Sequence, residues 1–347
     1  MLQANIKKHT FHFNTPGGTS RGVLHTKDSW YLSIWNNDNS AIVGVGECSI
    51  LPKLSIDDKP NIEDKLNEVA AQINNYASNY HQSLLEWPAI RFALEMALLD
   101  LKNGGKRLIY ASPFALQQKP IAINGLIWMG DIGYMKSQLS EKLKQGFSCI
   151  KIKVGAINFD DEVNLIKEIR KSFSPNQIEI RVDANGAFSP EDATRKLQIL
   201  SELDLHSIEQ PIKAGQWTDM AKLCANTPLP IALDEELIGV NTVEEKRQVL
   251  ETIKPQYIIL KPSLVGGFRA SEEWVSLAEE FNIDWWATSA LEGNIGLNAI
   301  AQWTASMNTN MPQGLGTGQV FSNNIDSPLQ VEDGALIYNQ SLKWGNL

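Results

Sequence analysis

Residues 149–155 read CIKIKVG. Ile150, Ile152 and Val154 are β-branched and Gly155 closes the run, so the stretch reads as a short buried strand. Alternation across a strand puts Lys151 and Lys153 on one face. Burying one ammonium is costly, and burying two side by side costs more. The stretch therefore demands a partner for those two charges elsewhere in the chain.

The same texture repeats on either side. PIAINGLI precedes it, and IEIRVDAN, LHSIEQPI, LPIALDEE, YIILKPS and DWWATSA follow. Between these apolar runs lie amphipathic helical patterns such as DDEVNLIKEIRKSF and TVEEKRQVLETI. Strand–helix repetition of this kind indicates an α/β fold with a parallel sheet. A polar residue stands at or near the end of each successive strand: Lys153, Asp183, Glu209, Asp234, Lys261 and Ser289. Their positions differ by 30, 26, 25, 27 and 28 residues, one βα unit per step. In a closed parallel barrel those strand ends converge on one face, where active sites are built, whereas an open sheet would spread them along an edge. The regular placement predicts a closed barrel.

Three consecutive steps deliver carboxylates, Asp183, Glu209 and Asp234. Brought together they repel, and must take up protons or hold a cation. Any one alone would read as a strand-end or helix-capping acid. Three in phase, flanked by lysines in phase, point to a metal centre. Oxygen ligands without histidine or thiolate suit a hard ion, so Mg²⁺ is expected rather than Zn²⁺. Lys151 and Lys153 approach it from one side and Lys261, four steps later, from the other. A lysine beside a divalent cation and another lysine has its neutral form favoured, its pKa falling from about 10.4 toward roughly 7–8. Such a lysine is a competent base, and the metal would stabilise the dianion left when a proton alpha to a substrate carboxylate departs.

Other chemistries find no support. The five histidines are His9, His12, His25, His81 and His206. Four precede the barrel, and His206 belongs to the start of the Glu209 strand, away from the active face. A histidine base is therefore not expected, and there is no G-x-S-x-G elbow for a serine nucleophile. QGLGTG (313–318) fits neither a Walker nor a Rossmann fingerprint. It reads either as a plain turn or as a loop whose amides, Gly314 among them, hold a substrate carboxylate.

The 347 residues suit a large α/β domain plus a smaller one. Residues 1–50 carry three strand-like segments separated by turn residues, an antiparallel meander. Residues 62–80 and 88–101 read as helices, the second opened by Pro88 and followed by Gly104 and Gly105. NTPGGTSRG (14–22), with Arg21, is either a lid over the site or a hairpin connection. GALIYNQSLKW, within 330–347, reads as a further strand pair. The formal net charge of −9 argues against nucleic acid or an anionic membrane surface as partner. Cys48, Cys149 and Cys224 lack CxxC spacing, which fits reduced thiols in the cytoplasm. The N-terminus lacks the apolar run of a signal peptide, and no window is long and apolar enough to span a membrane.

Taken together, KIKVG, RVDANGAF, IEQPI, ALDEEL, ILKPSLVGG and FALEMALLDL resemble the enolase superfamily, in its muconate-lactonising-enzyme-like branch, from about residue 20 to 320. The resemblance implies a (β/α)7β modified TIM barrel over 116–320, an α+β capping domain over 1–115, and a C-terminal segment, 321–347, returning to the cap. It places Asp183, Glu209 and Asp234 on the Mg²⁺ ligands (Mn²⁺ as a possible substitute), and Lys153 and Lys261 on the two catalytic lysines. Lys151 falls on the auxiliary lysine, with Ser289 and Gly314 expected to contact a small-molecule carboxylate substrate. Within the branch the residues look most like the o-succinylbenzoate synthases of menaquinone biosynthesis, lyases that dehydrate 2-succinyl-6-hydroxy-2,4-cyclohexadiene-1-carboxylate. Dipeptide epimerases of the branch usually carry an Asp-x-Asp on the eighth strand for the substrate ammonium. That region is expected at TSALEG (288–293), which has no such motif. N-acylamino acid racemisation needs no ammonium site and stays open as an alternative. No ligand or lysine of the set is missing, which argues against a barrel kept for binding alone.

Overall fold

The computed structural model describes residues 1–19, 22–128 and 130–347. The chain opens with an antiparallel sheet of β1 (Leu2–Thr19), β2 (Gly22–Asn36) and β3 (Asn39–Ser49), in that order. Three helices follow: α1 (Ile62–Ala71), α2 (Ile73–Ser83) and α3 (Pro88–Lys102). The helix expected over 62–80 is thus two, broken at Gln72.

The third helix is held against the sheet by close backbone approach. A Cβ at Gly46 would lie 1.9 Å from the Ala93 carbonyl oxygen, and one at Gly44 2.1 Å from that of Ala97. The VGVG of β3 is therefore a seat for the helix. At the N-terminus of α3 the carboxylate of Asp57 accepts the Ala89 N–H at 3.1 Å from both oxygens, the place where a helix leaves donors unsatisfied.

After α4 (Pro113–Gln117) and the two-residue β4 (Ile121–Ala122), the strand–helix alternation begins. The elements are β5 (Gly125–Ile127), α5 (Ile132–Lys144), β6 (Cys149–Lys153), α6 (Phe159–Ser172), β7 (Glu179–Asp183) and α7 (Pro190–Ser201). There follow β8 (Ser207–Glu209), α8 (Trp217–Asn226), β9 (Ile231–Leu233), α9 (Val243–Ile253), β10 (Tyr257–Leu260), the single turn α10 (Pro262–Val265), α11 (Phe268–Glu280), β11 (Asp284–Ala287) and α12 (Asn294–Ser306). Strands β5 to β11 form one parallel sheet in sequence order. Side-chain caps mark the helix starts: Asn158 on α6, Ser189 on α7, and a Thr242–Glu245 capping box on α9.

Residues 313–314 close the sheet into a barrel. Gln313 N–H donates to Ala122 O (2.8 Å) and Gln313 O accepts from Asn124 N–H (2.9 Å) on one side. Gly314 N–H donates to Ala287 O (2.8 Å) and Gly314 O accepts from Ser289 N–H (2.9 Å) on the other. This segment is the eighth strand. TSALEG, expected there, instead follows β11, the seventh.

The tail returns at two places. Phe321 forms a bridge with Phe13, Ser322 N–H donates to His12 O (2.9 Å), and Phe11 stacks on Phe321. Beyond it, β12 (Leu329–Glu332) and β13 (Ala335–Tyr338) make a hairpin that pairs with β4. Among the described residues all three cysteines are buried and free, and no helix is long and apolar enough to cross a membrane.

Candidate active site

The parallel register sets the site. Lys153 lies opposite Asp183, and Asp183 opposite Glu209, so the ends of β6, β7 and β8 stand level. Asp234 and Lys261 directly follow β9 and β10. Asp183, Glu209 and Asp234 are each at most 2% exposed, and Lys151 is 7% exposed.

The two lysines of the opening stretch have found their anions. Lys151 Nζ lies 2.8 Å from Asp183 Oδ2 and donates to Glu209 Oε2. Lys153 Nζ donates to Asp183 Oδ2 and to Asn185 Oδ1, both at 2.6 Å. Lys261 Nζ donates to Asp234 Oδ2 and stands 4.0 Å from Glu209 Oε1. All six charged groups expected at the mouth therefore meet there. Burial opposes the ammonium forms of Lys151 and Lys261, but the carboxylates, led by Asp183 for the first and Asp234 for the second, hold both pKa values above the ordinary lysine value. That is opposite to the direction a divalent cation and a second lysine impose. Burial likewise opposes ionised Asp183, yet Lys151 and Lys153 hold it far below the usual carboxylate range. Burial, then the charge of Asp183, push Glu209 well above it.

The donor set fits a hard divalent cation. Three carboxylates supply oxygen without nitrogen or sulfur, and the buried Oε1 of Glu209 has no hydrogen-bond partner. Among the described residues no three acidic, histidine or cysteine side chains already stand as a metal cluster. The ammonium groups of Lys151 and Lys261 bridge neighbouring carboxylates.

A cavity of about 440 Å³ opens over the ring, with Lys151, Lys153 and Lys261 in its lining. Phe13, Leu51 and Leu54 of the first 115 residues and Trp128 and Phe147 of the barrel supply apolar walls. Among the described residues no histidine lines it. His206 precedes β8, at the opposite end from Glu209, with Nδ1 2.9 Å from Ser207 Oγ. Segment 14–22 resolves into more than a loop: β1 continues to Thr19, with a register shift between His12 and Gly17, and residues 13–17 border the cavity. Arg21 lies outside the described residues.

Ser289 and Gly314 both line the cavity, but their donors are engaged. Ser289 Oγ bonds Glu292 Oε2 at 2.5 Å and Thr317 Oγ1 at 2.7 Å, and the Gly314 amide is spent on Ala287. Gly314 makes room for Thr288 instead, since a Cβ there would lie 2.4 Å from Thr288 Oγ1. Two polar residues beside the ring of charges escape the spacing argument. Asn185, with φ of 43°, bonds Lys153 and donates to Glu235 Oε1 at 3.0 Å. Glu235 follows Asp234, and strict alternation would turn it away. The 3₁₀ turn Glu235–Leu237 breaks that alternation, so both acids reach the mouth. The sequence signal lies in VDAN and LDEE, where Asn185 and Glu235 follow Asp183 and Asp234.

The sequence profile of the family described as Enolase C-terminal domain-like matches residues 134–341. The o-succinylbenzoate synthase of Desulfotalea psychrophila is 47% identical over 96% of this chain and 98% of its own. The crystal structure of MenC from Desulfotalea psychrophila LSv54 superposes with a TM-score of 0.84 at 44% identity, covering 97% of this chain and 99% of that one. Muconate lactonizing enzyme shares the fold, with a TM-score of 0.77 at 20% identity over 97% of this chain and 96% of its own. Enzymes of this group generally use Mg²⁺. On its sequence, its barrel and the ring of charges at the mouth alike, the chain belongs to the enolase superfamily, in the branch that includes muconate-lactonising enzyme.

Proposed function

We propose that this protein is an o-succinylbenzoate synthase, a lyase that dehydrates 2-succinyl-6-hydroxy-2,4-cyclohexadiene-1-carboxylate to 2-succinylbenzoate in menaquinone biosynthesis. The observation that carries the choice of reaction is the likeness to the Desulfotalea synthase, 47% identical across nearly the whole of both chains. The eighth strand supports it: Gly314-Leu315-Gly316 offers no acid to a substrate ammonium.

Asp183, Glu209 and Asp234 would hold Mg²⁺, or Mn²⁺ in its place, and the ion when bound would neutralise charge developing on the substrate carboxylate. Lys153 takes the proton from the ring carbon bearing the carboxylate. The C–H electrons enter the ring, the C6–O bond breaks, and Lys153 returns its proton to the departing hydroxyl, which leaves as water. Lys261, as an ammonium on the far side of the ring of charges, offsets the negative charge of the intermediate. Lys151, locked between Asp183 and Glu209, keeps a positive charge at the carboxylate end. The apolar walls exclude water and orient the cyclohexadiene. We assign residues 1–115 to the cap, 116–320 to the barrel and 321–347 to the returning segment. We also place the enzyme in the cytoplasm, where its buried thiols stay reduced.

The test is purified protein with Mg²⁺ against the cyclohexadiene carboxylate, a panel of dipeptides, and N-succinylamino acids. Dehydration should dominate. Epimerisation of a dipeptide at the higher kcat/KM would refute the assignment.

A further inference from the structure

We infer that Arg91 and Glu95, on α3 of the cap, are positioning residues for Lys261, acting by clamping the turn that follows it. The inference rests on the assignment of Lys261 above.

Lys261 opens the one-turn helix α10, and its carbonyl accepts from Leu264 N–H (2.8 Å) and Val265 N–H (3.1 Å). Whatever fixes residues 264–267 therefore fixes the backbone from which the lysine side chain projects. Arg91, 3% exposed, does so from outside the barrel. Its Nε donates to Gly266 O at 2.6 Å and its Nη2 to Val265 O at 3.1 Å. Four residues on, and so on the same helical face, Glu95 takes the other side of the turn. It accepts Phe268 N–H at 2.6 Å and Arg269 N–H at 3.2 Å. One helix face thus holds two carbonyls and two amides of a single turn.

The glycines of ILKPSLVGG show that this contact is built in. Gly266 and Gly267 have φ of +97° and +100°. A Cβ would lie 1.7 Å from Arg91 Nη2 at the first and 2.1 Å from Glu95 Oε2 at the second. The path is short and directional, from the Arg91 guanidinium to the Val265 carbonyl, then from the Val265 amide to the Lys261 carbonyl. Displacing a catalytic group by about 1 Å can cost on the order of 10²-fold in rate, so the clamp acts on turnover rather than on substrate affinity.

The experiment compares Arg91→Lys, which keeps the charge but loses the fork, with Arg91→Gln and a control, Gln302→Leu. Gln302 ties residues 107–110 to α12, accepting from Ile109 N–H at 2.7 Å and donating to Arg107 O at 2.9 Å, away from the Lys261 turn. Steady-state kinetics with Mg²⁺ should show kcat down about tenfold or more in both Arg91 variants, with KM within about twofold. The control should lose melting temperature but keep kcat. Wild-type kcat in a folded Arg91→Lys overturns the proposal, as does an equal loss in Gln302→Leu. If Arg91→Gln does not fold, Arg91→Lys decides alone. Lys261→Ala separates the two assignments. If it turns over normally, the reading of Lys261 fails and the clamp with it. If it is inactive while Arg91→Lys is unimpaired, the clamp alone fails.

Discussion

Replacing Glu95 by Gln should change the stability of this protein in a way that depends on pH. Glu95 is 6% exposed, and burial pushes its carboxyl from 4.5 to about 7, with Glu272 adding to the rise. The amides of Phe268 and Arg269 and the charge of Arg91 pull the other way. A carboxyl with a raised folded pKa binds more protons folded than unfolded between the two values. Its contribution to stability is therefore complete below pH 4.5 and is lost as the pH rises through about 7. The interval corresponds to about 3 kcal/mol at about 1.36 kcal/mol per pKa unit. The start of α11 favours the ionised form by up to about 2 kcal/mol, so a net change of roughly 1–3 kcal/mol is expected. Gln cannot titrate. It keeps one acceptor for the two amides and leaves one unsatisfied, a pH-independent cost of about 1–3 kcal/mol. Urea unfolding of both proteins at pH 5, 6, 7 and 8 should show the variant weaker at pH 5 and the gap narrowing by at least about 1 kcal/mol at pH 8. Other raised carboxyls, such as Asp57 at about 7, titrate in both proteins and cancel in the difference. A gap constant across the series would mean that Glu95 stays ionised in the fold, and the reasoning would fail.

Four further outcomes are expected. Lys153→Ala should abolish turnover in a protein that still folds, and a tenth of wild-type activity remaining would remove Lys153 as the base. Asp234→Asn should raise the Mg²⁺ needed for half-maximal activity at least about tenfold and weaken Mg²⁺ binding by calorimetry, in line with the losses seen when metal-site groups are altered. Gly46→Ala should cost about 3 kcal/mol or more in urea unfolding, because its Cβ would stand 1.9 Å from the Ala93 carbonyl oxygen. Gly316→Asp is tight rather than blocked: its Cβ would lie 3.3 Å from Ile123 Cδ1, the end of a side chain that must give by a few tenths of an ångström. The added carboxylate should repel a dicarboxylate substrate and raise KM about tenfold or more, a like-charge cost of about 1.4 kcal/mol sufficing.

The barrel and its charges were legible for one reason. Parallel register carries residues at the ends of β6, β7 and β8 to one level, so even spacing in the chain becomes proximity in space. The eighth strand escaped because nothing local makes it a strand. Gln313-Gly314 has no alternating apolar pattern, and its extended form comes from hydrogen bonds to the two edges it joins. Glu235 escaped because a 3₁₀ turn overrides alternation just where the strand ends. Asn185 escaped because its left-handed backbone turns it back toward Lys153. The apolar walls were beyond reach altogether. Phe13 and Leu54 lie more than a hundred residues before Lys261, and docking of the cap alone brings them together. The GG of ILKPSLVGG was legible as a motif, but its physical reason lies in Arg91 and Glu95 on another domain.

Charge is distributed unevenly around the cavity, and that bears on what it accepts. Lys151, Lys153 and Lys261 stand with their carboxylates at the ends of β6 to β10. The opposite wall, from Thr288 to Leu291 and from Gly314 to Thr317, presents no charged side chain to the cavity. The acid of that region, Glu292, is wholly buried behind it. Its oxygens accept from Ser263 Oγ and Ser289 Oγ. Behind Glu292 lie the charges of Lys27 and Glu47, with Lys27 Nζ bonded to Ser29 Oγ at 3.0 Å and Glu47 accepting Gly293 N–H at 2.7 Å and Gly296 N–H at 2.9 Å. Turning Glu292 toward a substrate ammonium would break these bonds and leave buried hydroxyls unpaired. A dipeptide whose amino end faced that wall would thus meet no counter-ion there, the acids that line the cavity, Glu141 and Glu235, belonging to other elements. An anion with a neutral, apolar body meets no such deficit, and that asymmetry favours dehydration of a cyclic carboxylate over epimerisation of a peptide.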